Sequence, residues 1–404
     1  MRVLYLTDSL SDLDGVGRYA MRLIAATEKL QPGLEVEVLL ARKHRPTSKE
    51  VPKHWQVSVA LPPDYFYYMQ PSRFWPSYAW GTWNTWRAAR RADVVHAIKD
   101  FPHNLVALRG AELAGKPCIA TAHGTYSVIP LLSQRHAAAA QAAYRRFAAL
   151  ISVSRYTSKK LLELSGGAID PARLHVIPNC VDASTYAAPR ADVRDGSCAW
   201  HGLRYTLAMG ELKERKGHHL SIGAFLRVAA RFPDLHHCVV GKRSNDDYER
   251  AIVARIAAAG CAQRVHFLGN VDEAQKIDLF QRAFAFVHTP VTATDGGFEG
   301  FGIVYLEASA SGIPCIGTLD SGAEDAVVDG VTGMLVPQRE DDVAAALERL
   351  LEDDGLRRRM GEAGRAHAAA QTWEANARAV LSIYRDALAT RAAPASASAR
   401  SGRS

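Results

Sequence analysis

The chain of 404 residues has no run of about 18–20 consecutive apolar residues, the length a membrane-spanning helix needs. Its six cysteines, Cys118, Cys180, Cys198, Cys238, Cys261 and Cys315, are scattered and form no Cys-x-x-Cys pair. That argues against the common zinc spacings and a disulfide framework, and for a reducing compartment. Met1–Asp8 is too short an apolar stretch for a signal-peptide core, and an acid stands where that core should continue. No Lys/Arg-rich run and no zinc-finger or RNA-binding-sheet signature is present, so nucleic acid is not an expected partner. No internal repeat has a fixed period. A composition of 48% hydrophobic and 23% charged residues rules out wholesale disorder, collagen and coiled coil. The expectation is a soluble cytoplasmic protein of two or three domains.

What is present is unevenly placed. Residues 1–200 carry 25 Lys/Arg against 16 Asp/Glu, and residues 201–404 carry 24 against 26. A basic first half suits an anionic membrane surface or an acidic acceptor.

Short apolar runs rich in β-branched residues alternate with helical stretches such as Gly17–Lys29 and Thr157–Ser165. In the first half the runs are Arg2–Thr7, Val36–Arg42, Asp93–Ile98, Cys118–His123, Leu150–Ser154 and Leu174–Pro178. In the second they are Thr206–Gly210, His237–Gly241, Val265–Gly269, Ala285–Pro290, Pro314–Thr318 and Gly333–Pro337. Each reads as a strand buried on both faces, and together they predict two doubly wound parallel-sheet domains, an α/β chain. In such sheets ligands bind beyond the carboxyl ends of the strands, so the strand-to-helix turns are where chemistry is expected.

Three turns stand out. Asp14-Gly15-Val16-Gly17 follows the first run; its glycines allow close approach of a phosphate, but no third glycine completes G-x-G-x-x-G. Gly210–Gly217 (GELKERKG) places Arg215 and Lys216 before a helix, where cations can clamp a diphosphate. His218 stands where a P-loop would carry Ser or Thr. Thr294–Ala310 (TDGGFEGFGIVYLEASA) sets Glu299 and Glu307 eight apart around a glycine-rich loop and a helix start. Glu299 is expected on the loop and Glu307 about one turn into the helix. Two carboxylates on that scale suit two hydroxyl-bearing parts of one ligand, such as a sugar and a ribose. Asp12-Leu13-Asp14 has the Asp-x-Asp spacing of a manganese site but lies in a loop before the glycine turn, and no metal is expected.

Tyr65–Trp86 holds 10 of the 33 Phe, Trp and Tyr residues and is followed by Arg87, Arg90 and Arg91. It suits a membrane interface, an acceptor cleft, a partner surface or a packed hairpin of helices.

Phe298–Ala308 (FEGFGIVYLEA) resembles the E-x7-E signature of glycosyltransferase family 4, retaining transferases of the GT-B fold. Similar too are Ala310–Pro314, Asp329–Pro337, Val176–Asn179 and the Lys216–Gly217 turn, so the resemblance spans roughly Met1–Arg385. It implies two Rossmann-like domains facing across a cleft. Residues 1–185 would form the acceptor side, 186–200 a linker, 201–371 the donor domain, 372–390 a last amphipathic helix and 391–404 a disordered tail. It implies a nucleotide-diphosphate sugar (UDP- or GDP-linked) as donor and no cofactor. The acceptor would be a glycan, lipid-linked or small-molecule hydroxyl, and the inner membrane face a candidate station.

By the same resemblance Glu299 would hold sugar hydroxyls, with Gly300, Phe301, Gly302 and Ile303 around sugar and phosphate. Glu307 would take the ribose hydroxyls, and Lys216 the diphosphate. Leu268, in a loop Phe267–Val271, would flank the base, His123 would stand at the reacting sugar, and Gly15–Gly17 would face the diphosphate. Glu211 stands where the family has Arg, which leaves Arg215 as the substitute second cation; Asp14 and Cys180 replace usual glycines. Two other classes compete: a nicotinamide-dependent oxidoreductase, which needs the missing glycine, and a membrane-associated scaffold, which leaves Glu299, Glu307 and Lys216 unexplained.

Overall fold

A computed structural model describes residues 1–11, 14–41, 47–188 and 198–392. The chain divides into two compact units: residues 1–153, 158–177 and 373–404, and residues 154–157 and 178–372.

The first unit holds β1 (Arg2–Thr7), β2 (Glu35–Ala41), β3 (Gln56–Leu61), β4 (Val94–Ala97), β5 (Cys118–Ala122), β6 (Ala149–Ser152) and β7 (Leu174–Val176). They form one parallel sheet in the order β3-β2-β1-β4-β5-β6-β7. The second unit holds β8 (Arg204–Met209), β9 (Leu235–Val240), β10 (Val265–Gly269), β11 (Ala285–Val287), β12 (Cys315–Thr318) and β13 (Gly333–Val336). Its sheet is also parallel, in the order β10-β9-β8-β11-β12-β13. In both sheets the order reverses direction beside the first strand, between β1 and β4 and between β8 and β11. At such a point neighbouring crossovers diverge and leave a crevice.

The inner strands β1, β4, β5, β6, β8, β9, β11 and β12 are almost wholly buried, as runs apolar on both faces require. Three edge strands depart from that pattern. β3 was not expected: Val57 and Val59 are 36% and 51% exposed and alternate with Gln56 and Ser58, so the strand is covered on little of its length. β7 and β10 are only partly covered.

The aromatic segment is neither a loop nor a hairpin of helices. It forms a 3₁₀ turn, Asp64–Tyr68, and then a single helix, Pro71–Ala89, which packs on the helix His103–Leu113. The last helix, Trp373–Ala392, belongs to the first unit. There Val380, Leu381 and Tyr384 join the core and Tyr384 Oη lies 2.6 Å from His96 Nδ1. Most of the stretches expected as linker and tail lie outside the described residues.

Both cores bury histidine. His96 on β4, His237 on β9 and His218 are fully enclosed, and burial depresses each from the usual 6.5 to about 3. The unfolded chain therefore binds more protons between those values, so stability is complete above pH 6.5 and is lost as pH falls towards 3. Scanning calorimetry should show an unfolding midpoint that drops steadily below pH 6.5. A midpoint unchanged down to pH 4.5 would refute neutral burial of these rings.

Candidate functional site

In the second unit, the crevice between β8 and β11 gathers three of the expected residues and one that was not expected. After β8 the chain turns through Gly210, makes a 3₁₀ turn at Glu214–Lys216, and enters the helix His218–Val228 through Gly217. Gly217 is left-handed, with φ of 65°, and a Cβ there would lie 1.6 Å from the Thr289 carbonyl oxygen. Only glycine can make this crossing. Thr289 Oγ1 donates to the Gly217 carbonyl at 2.8 Å, and the Val291 amide donates to the Arg215 carbonyl at 3.1 Å. The turn after β8 is thereby fastened to the segment after β11.

That fastening puts the Lys216 ammonium against the Glu299 carboxylate. Side-chain exposures of 16% and 12% leave both largely removed from water. His288, fully buried at the end of β11, brings Nε2 to 3.5 Å from the same carboxylate oxygen. Burial pushes the Glu299 carboxyl up, but the Lys216 charge, the His288 contact and the Arg215 charge outweigh it. The group is held well below the usual carboxylate range and is ionised. Burial likewise lowers the Lys216 ammonium, with Glu299 opposing it.

The Arg215 guanidinium has no carboxylate within ion-pair distance among the described residues, and so is available as a second cation. Glu211 is paired with Lys213 at 2.6 Å, so its charge is offset locally.

Glu299 sits on the loop, as expected, with the Gly322 amide donating to its carbonyl at 2.9 Å. Gly302, at φ of 79°, opens the helix Ile303–Ser311 with no side-chain cap, so its first amides face the loop uncapped. Gly300 and Phe301 pack against Gly322, where a Cβ would meet the Gly300 carbonyl at 2.4 Å. Glu307 lies just over one turn into the helix, where Tyr186 Oη donates to Oε1 at 2.7 Å and Lys276 Nζ at 3.0 Å. Leu268 lies in β10, the strand read from the sequence as Val265–Gly269, at a bulge where pairing to β9 shifts between Phe267 and Gly269, so the expected loop Phe267–Val271 overlaps the strand's end.

In the first unit, His123 follows β5. Its ring Nε2 lies 2.9 Å from the Ile98 carbonyl, and its amide donates to Asp100 Oδ1 at 3.1 Å. A carbonyl only accepts, so Nε2 carries the proton. Burial lowers the ring below the usual value against the pull of Asp100, which leaves Nδ1 as an acceptor.

The glycine turn is differently built from the expectation. Asp14 caps the helix Gly15–Leu30, accepting the Gly17 amide at 2.6 Å, so that amide is already engaged by a carboxylate. Gly17 is demanded by packing, because a Cβ would meet Ser9 Oγ at 2.6 Å, whereas Gly15 is open. Asp12 and Leu13 lie outside the described residues, and no cluster able to hold a metal is found among the described ones.

His288, Tyr186 and Lys276 were missed by sequence reasoning. The first is a histidine at a strand end, Tyr186 comes from the short helix Ala183–Ala187, and Lys276 from the helix Glu273–Arg282, whose start the Asp272–Gln275 capping box marks.

Two parallel sheets with flanking helices, and a cation–carboxylate pair at the switch point of the second, define a GT-B protein. Solved structures share the fold. HepE of Anabaena, in complex with UDP and glucose, matches with a TM-score of 0.75 at 18% identity, over 96% of this chain and 100% of that one. Sucrose-phosphate synthase of Thermosynechococcus elongatus matches with a TM-score of 0.75 at 20% identity, over 96% and 99%.

Residues 199–367 match the family Glycosyl transferases group 1, and residues 13–185 match Glycosyltransferase Family 4. Each of these matches covers under half of the chain, and between them they leave out only the two ends and a short join. A D-inositol 3-phosphate glycosyltransferase of Corynebacterium diphtheriae is 34% identical over 183 residues, 44% of this chain and 42% of the relative. A phosphatidyl-myo-inositol mannosyltransferase of Mycolicibacterium smegmatis is 36% identical over 186 residues, 45% and 44%. A glycogen synthase of Mycobacterium tuberculosis is 28% identical over 315 residues, 75% and 70%. The match thus spans less than half of the first two relatives.

Gly217→Ala should unfasten the site, because the new methyl group collides with the Thr289 carbonyl in a backbone conformation alanine rarely adopts. Gly15→Ala, in open space, should leave the melting temperature nearly unchanged. Thermal melts of the two variants compare them, and equal midpoints would remove the crossing as a constraint.

Proposed function

We propose that the chain transfers a sugar from a UDP- or GDP-linked donor to an acceptor hydroxyl, with retention of anomeric configuration. The observation that carries this reading is the Lys216–Glu299–His288 group beside the uncapped start of the helix Ile303–Ser311. A cation, an ionised carboxylate and free helix amides suit a ligand bearing both hydroxyls and phosphate. The relatives named above as glycosyltransferases support it.

In this reading Lys216 and Arg215 neutralise the leaving diphosphate together with the amides of Gly302 and Ile303, and no metal or cofactor is assigned. Glu299 accepts hydroxyls of the transferred sugar, with Gly300 and Phe301 shaping its seat. Glu307, already polarised by Lys276 and Tyr186, takes the ribose hydroxyls, and the bulged Leu268 takes the base. His123 accepts a hydrogen bond from a sugar hydroxyl at Nδ1 rather than acting as a nucleophile. Gly15–Gly17 remains assigned to the diphosphate, with Gly15 as its open member. The donor side falls to the second unit and the acceptor side to the first. The oxidoreductase alternative loses ground because the first glycine turn lacks the third glycine of G-x-G-x-x-G.

With a panel of nucleotide sugars, Glu299→Gln should abolish transfer and donor hydrolysis while still giving a folded chain with a cooperative thermal melt. Lys216→Ala should cost about 3 kcal/mol of barrier, on the order of a hundredfold in kcat. Activity should survive EDTA, and proton NMR of the product should show the donor's anomeric configuration. Wild-type turnover by Glu299→Gln would sink the assignment.

We also propose peripheral contact with an anionic membrane. Trp83, Arg87 and Arg90 share the outward face of the helix Pro71–Ala89, with Trp75 62% exposed nearby. Arg91 instead pairs with the buried Glu37 at 2.7 Å and is a structural group. Each basic residue near such a surface contributes roughly 1 kcal/mol. Arg87→Glu with Arg90→Glu should weaken sedimentation with phosphatidylglycerol vesicles and spare donor hydrolysis. Equal binding to neutral and anionic vesicles would refute the electrostatic part.

A further inference from the structure

The first unit carries a groove that none of the residues assigned to the donor or the reacting sugar lines. Three helices form it: Pro71–Ala89, His103–Leu113 and Ala137–Tyr144. The cavity is about 490 Å³, within the range of roughly 300–1,000 Å³ usual for ligand pockets. One wall is aromatic, with Phe74 and Tyr78 stacked at an interplanar angle of 4°. The opposite wall is the alanine face of AAAAQAAY, where Ala138, Ala139 and Ala142 are exposed and their side chains end at Cβ. Leu105 and Leu108 make the floor.

The groove has a direction. All three helices precede or follow parallel strands, so they run back against them with their N-termini at the strands' carboxyl edge. Pro71, Phe101 and His136 therefore mark the end nearest that edge, and Glu112 and Arg146 the far end. The near end adjoins His123. Asp100, which accepts the His123 amide at 3.1 Å, is followed directly by Phe101, whose ring lines the groove.

The charges are also polarised. At the far end Arg109 and Arg146 share Glu112. At the near end Arg135 stacks 5.6 Å over Phe74 and donates to the Met69 carbonyl at 2.6 Å, with no carboxylate in ion-pair contact among the described residues. Its neighbour His136 is lowered by burial and by Arg135, and so adds no charge. The rim thus carries three arginines against one glutamate, and the walls offer almost nothing for a sugar to hydrogen-bond.

We propose that this groove binds the hydrocarbon chain of a phosphate-bearing lipid, with the phosphate at Arg135 and the chain lying along the alanine face towards Arg146. It rests on the transferase reading above in one respect: the lipid would be the acceptor, its hydroxyl-bearing head presented at His123.

Displacement of the fluorescent polyene fatty acid cis-parinaric acid reads occupancy without any turnover. Decyl phosphate, below its micelle concentration, should displace it with an affinity about tenfold higher than decyl maltoside. Ala142→Trp, which fills the groove from a surface helix position, should weaken both about tenfold or more. Arg135→Glu should abolish the preference for phosphate and keep binding of the uncharged chain. Donor hydrolysis, measured in parallel, should be unchanged in both variants. Undiminished binding by Ala142→Trp, or no phosphate preference in the wild type, would overturn the proposal. Chain binding without donor hydrolysis would instead leave the groove standing and remove the transferase reading.

Discussion

The close crossing of Gly217 over the Thr289 carbonyl is the constraint on which the donor-side chemistry rests. A Cβ would lie 1.6 Å from that oxygen, so the turn after β8 can meet the segment after β11 only because residue 217 is glycine. From this contact follow the placement of Lys216 beside Glu299, the seat of His288 beneath it, and the alignment of the uncapped helix start. The switch point of the parallel sheet makes room for a ligand, and the crossing decides which side chains face it.

Electrostatics then holds the arrangement ready. Isolated buried charges are costly, and the Lys216–Glu299 pair is stable because each partner offsets the other's desolvation. Glu299 stays ionised despite its burial because Lys216, His288 and Arg215 all favour the charged form. An anion entering beside Lys216 competes with a carboxylate for one ammonium, while Arg215 adds a cation with no carboxylate of its own. Glu307 is arranged in a parallel way, with its charge met by Lys276 and Tyr186.

The first unit solves a different problem. Its helix start after β1 is capped by its own Asp14 carboxylate at the Gly17 amide, and its histidine is fixed as a neutral acceptor by the Ile98 carbonyl. Its aromatic residues are divided between a stacked wall and an outward face. The same helix can therefore line an apolar groove with Phe74 and Tyr78 while presenting Trp83, Arg87 and Arg90 outside.

The inner strands, the doubly wound class, the loop place of Glu299 and the helical place of Glu307 were all legible in the sequence. Each depends on local pattern: continuous apolar runs, glycines and a carboxylate spacing. The edge strand β3 is not a continuous apolar run, and the alternation of Val57 and Val59 with Gln56 and Ser58 is the signal that marks it. The strand Val265–Gly269 was legible, but the register shift at Leu268 was not, since pairing register is a property of two strands. Asp14 read as an irregular member of a glycine turn, and only the folded backbone turned it into a helix cap. His288, Tyr186 and Lys276 reach the two glutamates from positions between 11 and 121 residues away, and no local pattern encodes such a distance. Sequence by itself determined which residues could carry charge and where the backbone could bend. The tertiary structure decided which charges meet, because burial and contact depend on segments that the chain brings together only after it folds.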